Sequence, residues 1–228
     1  TDEGCDCVDI GLVTTPMMYF STWNYPEFDG GLMVSASHNP PKFNGVKMVG
    51  KGGIPIGGET GIYEIGKMIE NLPDELPEKK GRVESLNIFN PYAIHSLNYF
   101  PTNLKRFKIV IDTANGVGGP IATEIFNKIN CEFIHLFKEV DGNFPNHEAN
   151  PMKEENILDL RKSIIENNAD LGVGFDGDAD RCAFLDEKGH MIQSDMIIAL
   201  VAKSILKKTP NKKIFADLKL YDISATVA

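Results

Sequence analysis

The densest run of chemistry-bearing residues is Gly174-Phe175-Asp176-Gly177-Asp178-Ala179-Asp180-Arg181, in which three aspartates alternate with small residues. Carboxylates this close repel one another unless a cation lies between them. Hard oxygen donors suit Mg²⁺ or Ca²⁺. An EF-hand calcium loop is the obvious competitor, because Glu187 stands at loop position 12 when Asp176 is counted as the first. Arg181 then falls where that loop needs glycine, and the flanks 171–175 and 182–185 read as strands instead of helices. A solvated acidic turn explains neither the third acid nor the arginine that follows. The spacing therefore predicts a Mg²⁺ loop held by Asp176, Asp178 and Asp180 at the carboxyl end of a strand, where α/β proteins place ligand sites. Mg²⁺ commonly takes a further ligand from phosphate, so a phosphate is expected nearby.

A second cluster, Ser35-Ala36-Ser37-His38-Asn39-Pro40-Pro41-Lys42-Phe43-Asn44-Gly45-Val46-Lys47, also follows a strand pattern. Ser37 lacks the GxSxG elbow of a hydrolase nucleophile, and a side chain adjacent in sequence is poorly placed to be its base. A phosphoserine nucleophile fits better: its phosphate would complete the coordination of the metal, and Lys47 would supply charge or proton transfer. His38 reads equally as a structural histidine or as a group in the chemistry. Asp112-Thr113-Ala114-Asn115-Gly116-Val117-Gly118-Gly119 suggests a dinucleotide fingerprint, but its third glycine would fall at Ile121, so a tight strand-to-helix turn is expected. The polar loop 141–148 reads as a site loop or a surface loop. In Cys5-Asp6-Cys7 a single intervening residue makes an awkward chelate, which favours core or edge positions.

The elements that must position these groups are short β-branched runs at 8–12, 31–36, 46–49, 107–112, 132–137, 170–175 and 213–217. Helical patterns fall between most of them. One is 59–72; another is 154–168, with Ile157, Leu160 and Ile164 at i, i+3 and i+7. A further helix, capped by Ser194 or Asp195 and running through Lys208, is apolar nearly all round and expected to be buried. Alternating strands and helices predict an α/β fold with mixed, largely parallel sheets flanked by helices. A proline-rich polar loop at 73–81, a short helix-like connector at 91–104 and a hairpin turn at 186–189 divide the chain into 1–90, 105–188 and 189–228.

The chain has 228 residues, of which 42% are hydrophobic, and a formal charge of −9. That balance suits a folded protein and disfavours nucleic acid as a partner. The longest apolar run, 196–202, is far below the roughly 20 residues that span a bilayer, so no membrane helix is expected. The four cysteines have neither disulfide-framework nor zinc-site spacing and read as free thiols of a cytoplasmic protein. No signal peptide is visible, and both ends read as those of a fragment.

Together these residues resemble the α-D-phosphohexomutases, which interconvert hexose 1-phosphates and 6-phosphates. Ser35-Ala36-Ser37-His38-Asn39-Pro40 looks like the family's phosphoserine loop and Asp176-Gly177-Asp178-Ala179-Asp180-Arg181 like its metal loop. Thr15-Pro16-Met17-Met18-Tyr19-Phe20, 112–119, Phe144-Pro145-Asn146-His147, Asp170-Leu171-Gly172 and Asp217-Leu218-Lys219 stand in family order. Pro41, Phe43, Asn44, Gly45 and Lys47 resemble the phosphomannomutase/phosphoglucomutase branch, with phosphoglucosamine mutase as the alternative.

The resemblance implies a four-domain architecture of tandem related α/β units. In it, 1–90 matches the later part of domain I, 105–188 domain II and 189–228 the beginning of domain III. It implies a hexose phosphate substrate, mannose or glucose, and a hexose 1,6-bisphosphate intermediate. Ser37 would carry the phosphoryl group, and its phosphate would join Asp176, Asp178 and Asp180 around Mg²⁺. Lys47 would transfer a proton, Arg181 would bind phosphoryl oxygens, and His38 and Asn39 would shape the loop. Without the family's sugar-binding and phosphate-binding segments, the fragment alone is expected to be inactive. A non-catalytic cation-binding protein and a metal-dependent phosphatase are the other readings.

Overall fold

The structure, a computed structural model, describes residues 1–40, 42–71, 78–101 and 103–209. Pro41, most of the 73–81 loop and the strand expected at 213–217 lie outside the described residues. In chain order the elements are β1 (Cys7–Asp9), α1 (Thr15–Asn24), β2 (Gly30–Val34), β3 (Val46–Gly50), β4 (Ile54–Pro55), α2 (Tyr63–Ile69), β5 (Val83–Ser85) and α3 (Phe89–Leu97). There follow β6 (Phe107–Asp112), α4 (Gly118–Phe126), β7 (Cys131–Leu136), α5 (Leu158–Asn167), β8 (Leu171–Phe175), β9 (Cys182–Leu185), β10 (Met191–Ile192) and α6 (Ser194–Lys208).

The five-stranded sheet has the order β10-β9-β8-β6-β7, with β6 parallel to both β7 and β8 and the β8–β9 and β9–β10 pairs antiparallel. Strands β2-β3-β4 form an antiparallel sheet, and β1 pairs with β5 in parallel. The sheets are thus mixed, and parallel pairing is confined to strands joined through helices. A six-residue loop at 176–181 and an eleven-residue loop at 35–45 are too short to carry a crossover helix, so β8–β9 and β2–β3 run antiparallel. These two strand pairs repeat one design: a chemistry-bearing loop closes each.

Alternation along β6 sends Val110 to one face and Ile109 and Ile111 to the other. Val110 meets Ile157, Leu160 and Ile164, the stripe read from the sequence, with Leu185 from β9. The opposite face packs against Val173, Phe126 and Phe133. A third cluster joins Val13, Met17 and Ile88 to Ala93 on α3 and Ile121 on α4, and so ties the N-terminal elements to the helix that follows β6.

Helix α1 has no counterpart among the expected elements. Its start is marked by Thr14, whose side chain accepts from the Met17 N–H at 3.3 Å, and by Pro16 in the first turn. Its threonines and aromatics dilute any helical stripe. The expected helix at 59–72 is shortened to α2 because Gly61 adopts φ 149° just before it. The expectation for α6 needs correction on two points. Gln193 stands at its cap with no side-chain bond, and none of its residues is buried: Met196, Leu200 and Val201 are exposed. A largely apolar helix demands a covering layer, and among the described residues α6 is no more than partly buried, at Ile197, Ile198 and Ala202. No helix among the described residues is long and apolar enough to cross a membrane.

Candidate active site

The loop after β8 meets the loop after β2. Ser37 Oγ donates to Asp176 Oδ2 at 2.7 Å. Their backbones approach so closely that a Cβ on Gly177 would stand 2.4 Å from the Ser37 carbonyl oxygen. Gly116, in the turn after β6, is equally constrained: a Cβ there would stand 2.6 Å from the Gly177 carbonyl oxygen. That oxygen accepts from the Val117 N–H at 3.0 Å. The turn 112–119 is therefore the close-packed support of the aspartate loop 176–181, as its glycines suggest. Ser37 and Ala179 both hold left-handed backbone, at φ 54° and 55°. Such conformations are disfavoured for residues with a Cβ and cluster at functional sites.

Asp176 and Asp178 are buried, at 0% and 2% exposure, and Asp180 is partly exposed. One ligand oxygen from each can be chosen so that all three lie within 4.8 Å of one another. Their partners differ. Asp176 Oδ2 also accepts from Arg181 Nε and Nη2 at 3.0 and 2.9 Å, and its Oδ1 accepts from the Arg181 N–H at 3.0 Å. Lys47 Nζ bridges Asp178 Oδ2 at 2.5 Å and Asp180 Oδ2 at 2.7 Å. Asp178 Oδ1 is buried with no hydrogen-bond partner. A bare buried carboxylate oxygen is costly, and a cation satisfies it. The donor set, oxygen only and anionic, fits a hard divalent ion held by Asp176, Asp178 and Asp180.

Burial pushes the Asp176 carboxyl up, and the charge of Asp178 adds to that, against the Ser37 hydrogen bond and Arg181. Burial also acts to raise Asp178, but the hydrogen bonds from Lys47, Thr15 and Ser35 outweigh it and hold the carboxyl down at about 2. Lys47 is penalised by burial, yet Asp178 and Asp180 raise it above the ordinary lysine value. His38 is lowered by burial and by the charge of Arg181. Arg181 Nη2 donates to His38 Nδ1 and lies 3.4 Å from Ser37 Oγ. Because arginine only donates, His38 accepts at Nδ1.

Ser37, His38 and Lys47 thus converge with Arg181 and the three aspartates, although the chain separates the two groups by more than a hundred positions. Asn39 instead donates from Nδ2 to the Ala36 carbonyl and stays within its own loop. Two participants escape sequence reading. Thr15 Oγ1 and Ser35 Oγ donate to Asp178 Oδ2 at 2.7 and 2.9 Å. Both belong to motifs, 15–20 and 35–40, but a hydroxyl carries no spacing signal for a carboxylate far along the chain.

The loop 141–148 supports the 112–119 turn: Asn146 Nδ2 donates to Asn115 Oδ1 at 2.7 Å, and His147 Nε2 stands 3.1 Å from Asp112 Oδ2. Cys5 and Cys7 are exposed free thiols. Among the described residues, Asp176, Asp178 and Asp180 form the metal-capable cluster of His, Cys, Asp or Glu side chains.

Fold and site together define a class: tandem α/β units that present a serine hydroxyl on one loop to a triple carboxylate on another. The chain matches the family model "Phosphoglucomutase/phosphomannomutase, alpha/beta/alpha domain I" over residues 1–74 and the corresponding domain II model over 90–189. It belongs to the phosphoglucomutase/phosphomannomutase family, the phosphohexomutases. It is 38% identical over 227 residues to the phosphomannomutase of Escherichia coli K12, covering 96% of this chain and 50% of that protein. It is 39% identical over 221 residues to the phosphoglucomutase of Neisseria gonorrhoeae, covering 96% and 47%. A phosphoglucomutase/phosphomannomutase family protein from Burkholderia thailandensis superposes with a TM-score of 0.83 at 34% identity, over 92% of this chain and 46% of that one. The chain spans about half the length of the curated relatives it matches.

Proposed function

We propose that this chain is part of an isomerase of carbohydrate metabolism that interconverts hexose 1-phosphate and hexose 6-phosphate, with mannose or glucose as the sugar. We read it as the later part of domain I (1–90), a connector (91–104), domain II (105–188) and the beginning of domain III (189–228). The observation that carries the function is Ser37 Oγ, 2.7 Å from Asp176 Oδ2 at the edge of the carboxylate cluster. A serine there can hold a phosphoryl group next to the residues that would bind Mg²⁺. The metal, when bound, supplies positive charge for the phosphoryl oxygens.

In the proposed cycle the Ser37 Oγ–P bond breaks as the substrate's free hydroxyl forms a P–O bond, which leaves a hexose 1,6-bisphosphate and a serine hydroxyl. Lys47 Nζ gives its proton to the departing serine oxygen and takes up the one that the sugar hydroxyl loses, so the protons balance. After the bisphosphate turns over, Ser37 Oγ forms a bond to the other phosphorus as its bond to the sugar oxygen breaks, the serine proton passes to that sugar oxygen, and Ser37 phosphate and the isomeric monophosphate remain. Positioning and charge supply most of the catalysis in such transfers.

Each side chain has a part in this scheme. Lys47 Nζ carries a proton, held between Asp178 and Asp180, and acts as the transfer group when that bridge opens. Arg181 lies where its planar fork can take phosphoryl oxygens, and its side chain braces Asp176. His38, accepting from Arg181, holds that guanidinium toward Ser37. The four free cysteines support a reducing, cytoplasmic setting.

The test is ³¹P NMR of the full-length protein with mannose 1-phosphate, glucose 1-phosphate and glucosamine 1-phosphate, together with phosphopeptide mapping. Interconversion of the mannose or glucose phosphate with phosphate on Ser37 supports the proposal, and Ser37→Ala should lower turnover at least about a thousandfold. Preference for glucosamine 1-phosphate would favour the phosphoglucosamine branch, and net release of inorganic phosphate a phosphatase. No transfer and no phosphate on Ser37 would leave a cation-binding protein.

A further inference from the structure

Asp178 uses its two oxygens differently. A carboxylate offers about four lone-pair sites over its two oxygens. Oδ2 alone receives three donors: Thr15 Oγ1 at 2.7 Å, Ser35 Oγ at 2.9 Å and Lys47 Nζ at 2.5 Å. Oδ1 receives none and is buried. Thr15 holds the residue at a second point, since its N–H donates to the Asp178 carbonyl at 3.0 Å. Thr15 is 1% exposed, so this clamp works away from water, where hydrogen bonds orient most firmly. Ser35 faces two ways: its Oγ donates to Asp178 and accepts from the Ser37 N–H at 2.9 Å. The same hydroxyl therefore steadies the left-handed backbone of Ser37 and the carboxylate opposite.

We infer that Thr15 and Ser35 are positioning residues for the cation site: by occupying Oδ2 of Asp178 they leave Oδ1 as the oxygen that faces the ion. All three donors to Oδ2 come from the N-terminal elements, whereas Asp178 belongs to the large sheet. The site is accordingly built across the two, and cation affinity depends on a helix start and a strand end that contribute no ligand themselves. The inference rests on the metal reading proposed above, and its test separates the two.

The experiment is Mn²⁺ binding to the full-length protein, followed by calorimetry and by the electron paramagnetic resonance of free Mn²⁺, with metal-free thermal melts alongside. Thr15→Val keeps shape and removes the hydroxyl; it is expected to weaken Mn²⁺ about 10- to 100-fold, the range seen when partners that orient a ligand are lost. Thr15→Ser restores a donor and should return affinity to within about threefold of wild type. Ser35→Ala should also weaken Mn²⁺ about tenfold or more, and it serves if Thr15→Val does not fold. Unchanged affinity in Thr15→Val and Ser35→Ala overturns the inference, as does equal weakening in Thr15→Val and Thr15→Ser, which would mark a packing role. A wild-type protein that binds no Mn²⁺ overturns the metal reading itself.

Discussion

Ser37 and Asp176 stand 139 positions apart in the chain, yet the serine hydroxyl donates to the aspartate at 2.7 Å. The contact exists because Gly177 lets the aspartate loop lie directly on the Ser37 carbonyl. Everything proposed for the site depends on that approach, and it can be probed from several sides.

Gly177→Ala should separate the loops. The new methyl would meet the Ser37 carbonyl oxygen at 2.4 Å, a contact that backbone must relieve by moving. Misplacement of about 1 Å costs on the order of 100-fold in rate, so phosphoryl transfer in the full-length protein should fall about that far. Single-turnover transfer of phosphate to substrate measures it.

Asp178→Asn removes the charge that pairs with Lys47 and replaces one of the two carboxylate oxygens by an NH₂ that cannot ligate a hard cation. Divalent-ion affinity should fall at least about tenfold. In the wild-type protein, Mg²⁺ at 100 times its Kd should add about 2.7 kcal/mol of stability, and chelator should remove it. Thermal melts with Mg²⁺ and with chelator, on both proteins, provide the comparison.

Two histidines beneath the site predict opposite pH limbs. His135 is lowered from 6.5 to about 4, chiefly by burial, with the nearby Lys138 charge adding to it. Its folded value lies below its unfolded one, so its contribution is whole above pH 6.5 and is lost as pH falls toward 4. Partial exposure screens the effect to on the order of 2 kcal/mol. His147 is opposed by burial but raised overall by its hydrogen bond to Asp112. Its contribution is whole below pH 6.5 and is lost as pH rises through the folded value. Urea midpoints for His135→Gln should fall less than those of wild type between pH 6.5 and 4, and His147→Gln should flatten the limb above 6.5.

Leu160 is fully buried between α5 and the large sheet, in the cluster with Val110, Ile164 and Leu185. Leu160→Ala should cost about 2–5 kcal/mol through lost transfer energy and the cavity left behind. Urea unfolding followed by circular dichroism gives the value, and cation affinity of the folded fraction should stay unchanged.

Much of this was legible in one dimension because it depends on local rules. The alternation of acids in 176–181, the strand before them and the i, i+3, i+7 stripe at Ile157, Leu160 and Ile164 are properties of neighbouring residues, and the structure keeps them. Helix α1 was not legible, since its start signals at Thr14 and Pro16 precede a stretch without a clear apolar period. The expected burial of α6 failed for a related reason: an apolar pattern states a demand for cover but not what meets it.

Residue types, charge spacing and short-range periodicity thus determined the chemistry available and the alternation of strands with helices, and the resemblance of whole motifs pointed to the family. The pairing of Ser37 with Asp176, the division of labour between the Asp178 oxygens and the entry of Thr15 and Ser35 were decided in three dimensions. These depend on how closely two loops from separate sheets can approach, and that distance follows from packed glycines and a shared core, quantities that no run of adjacent residues encodes.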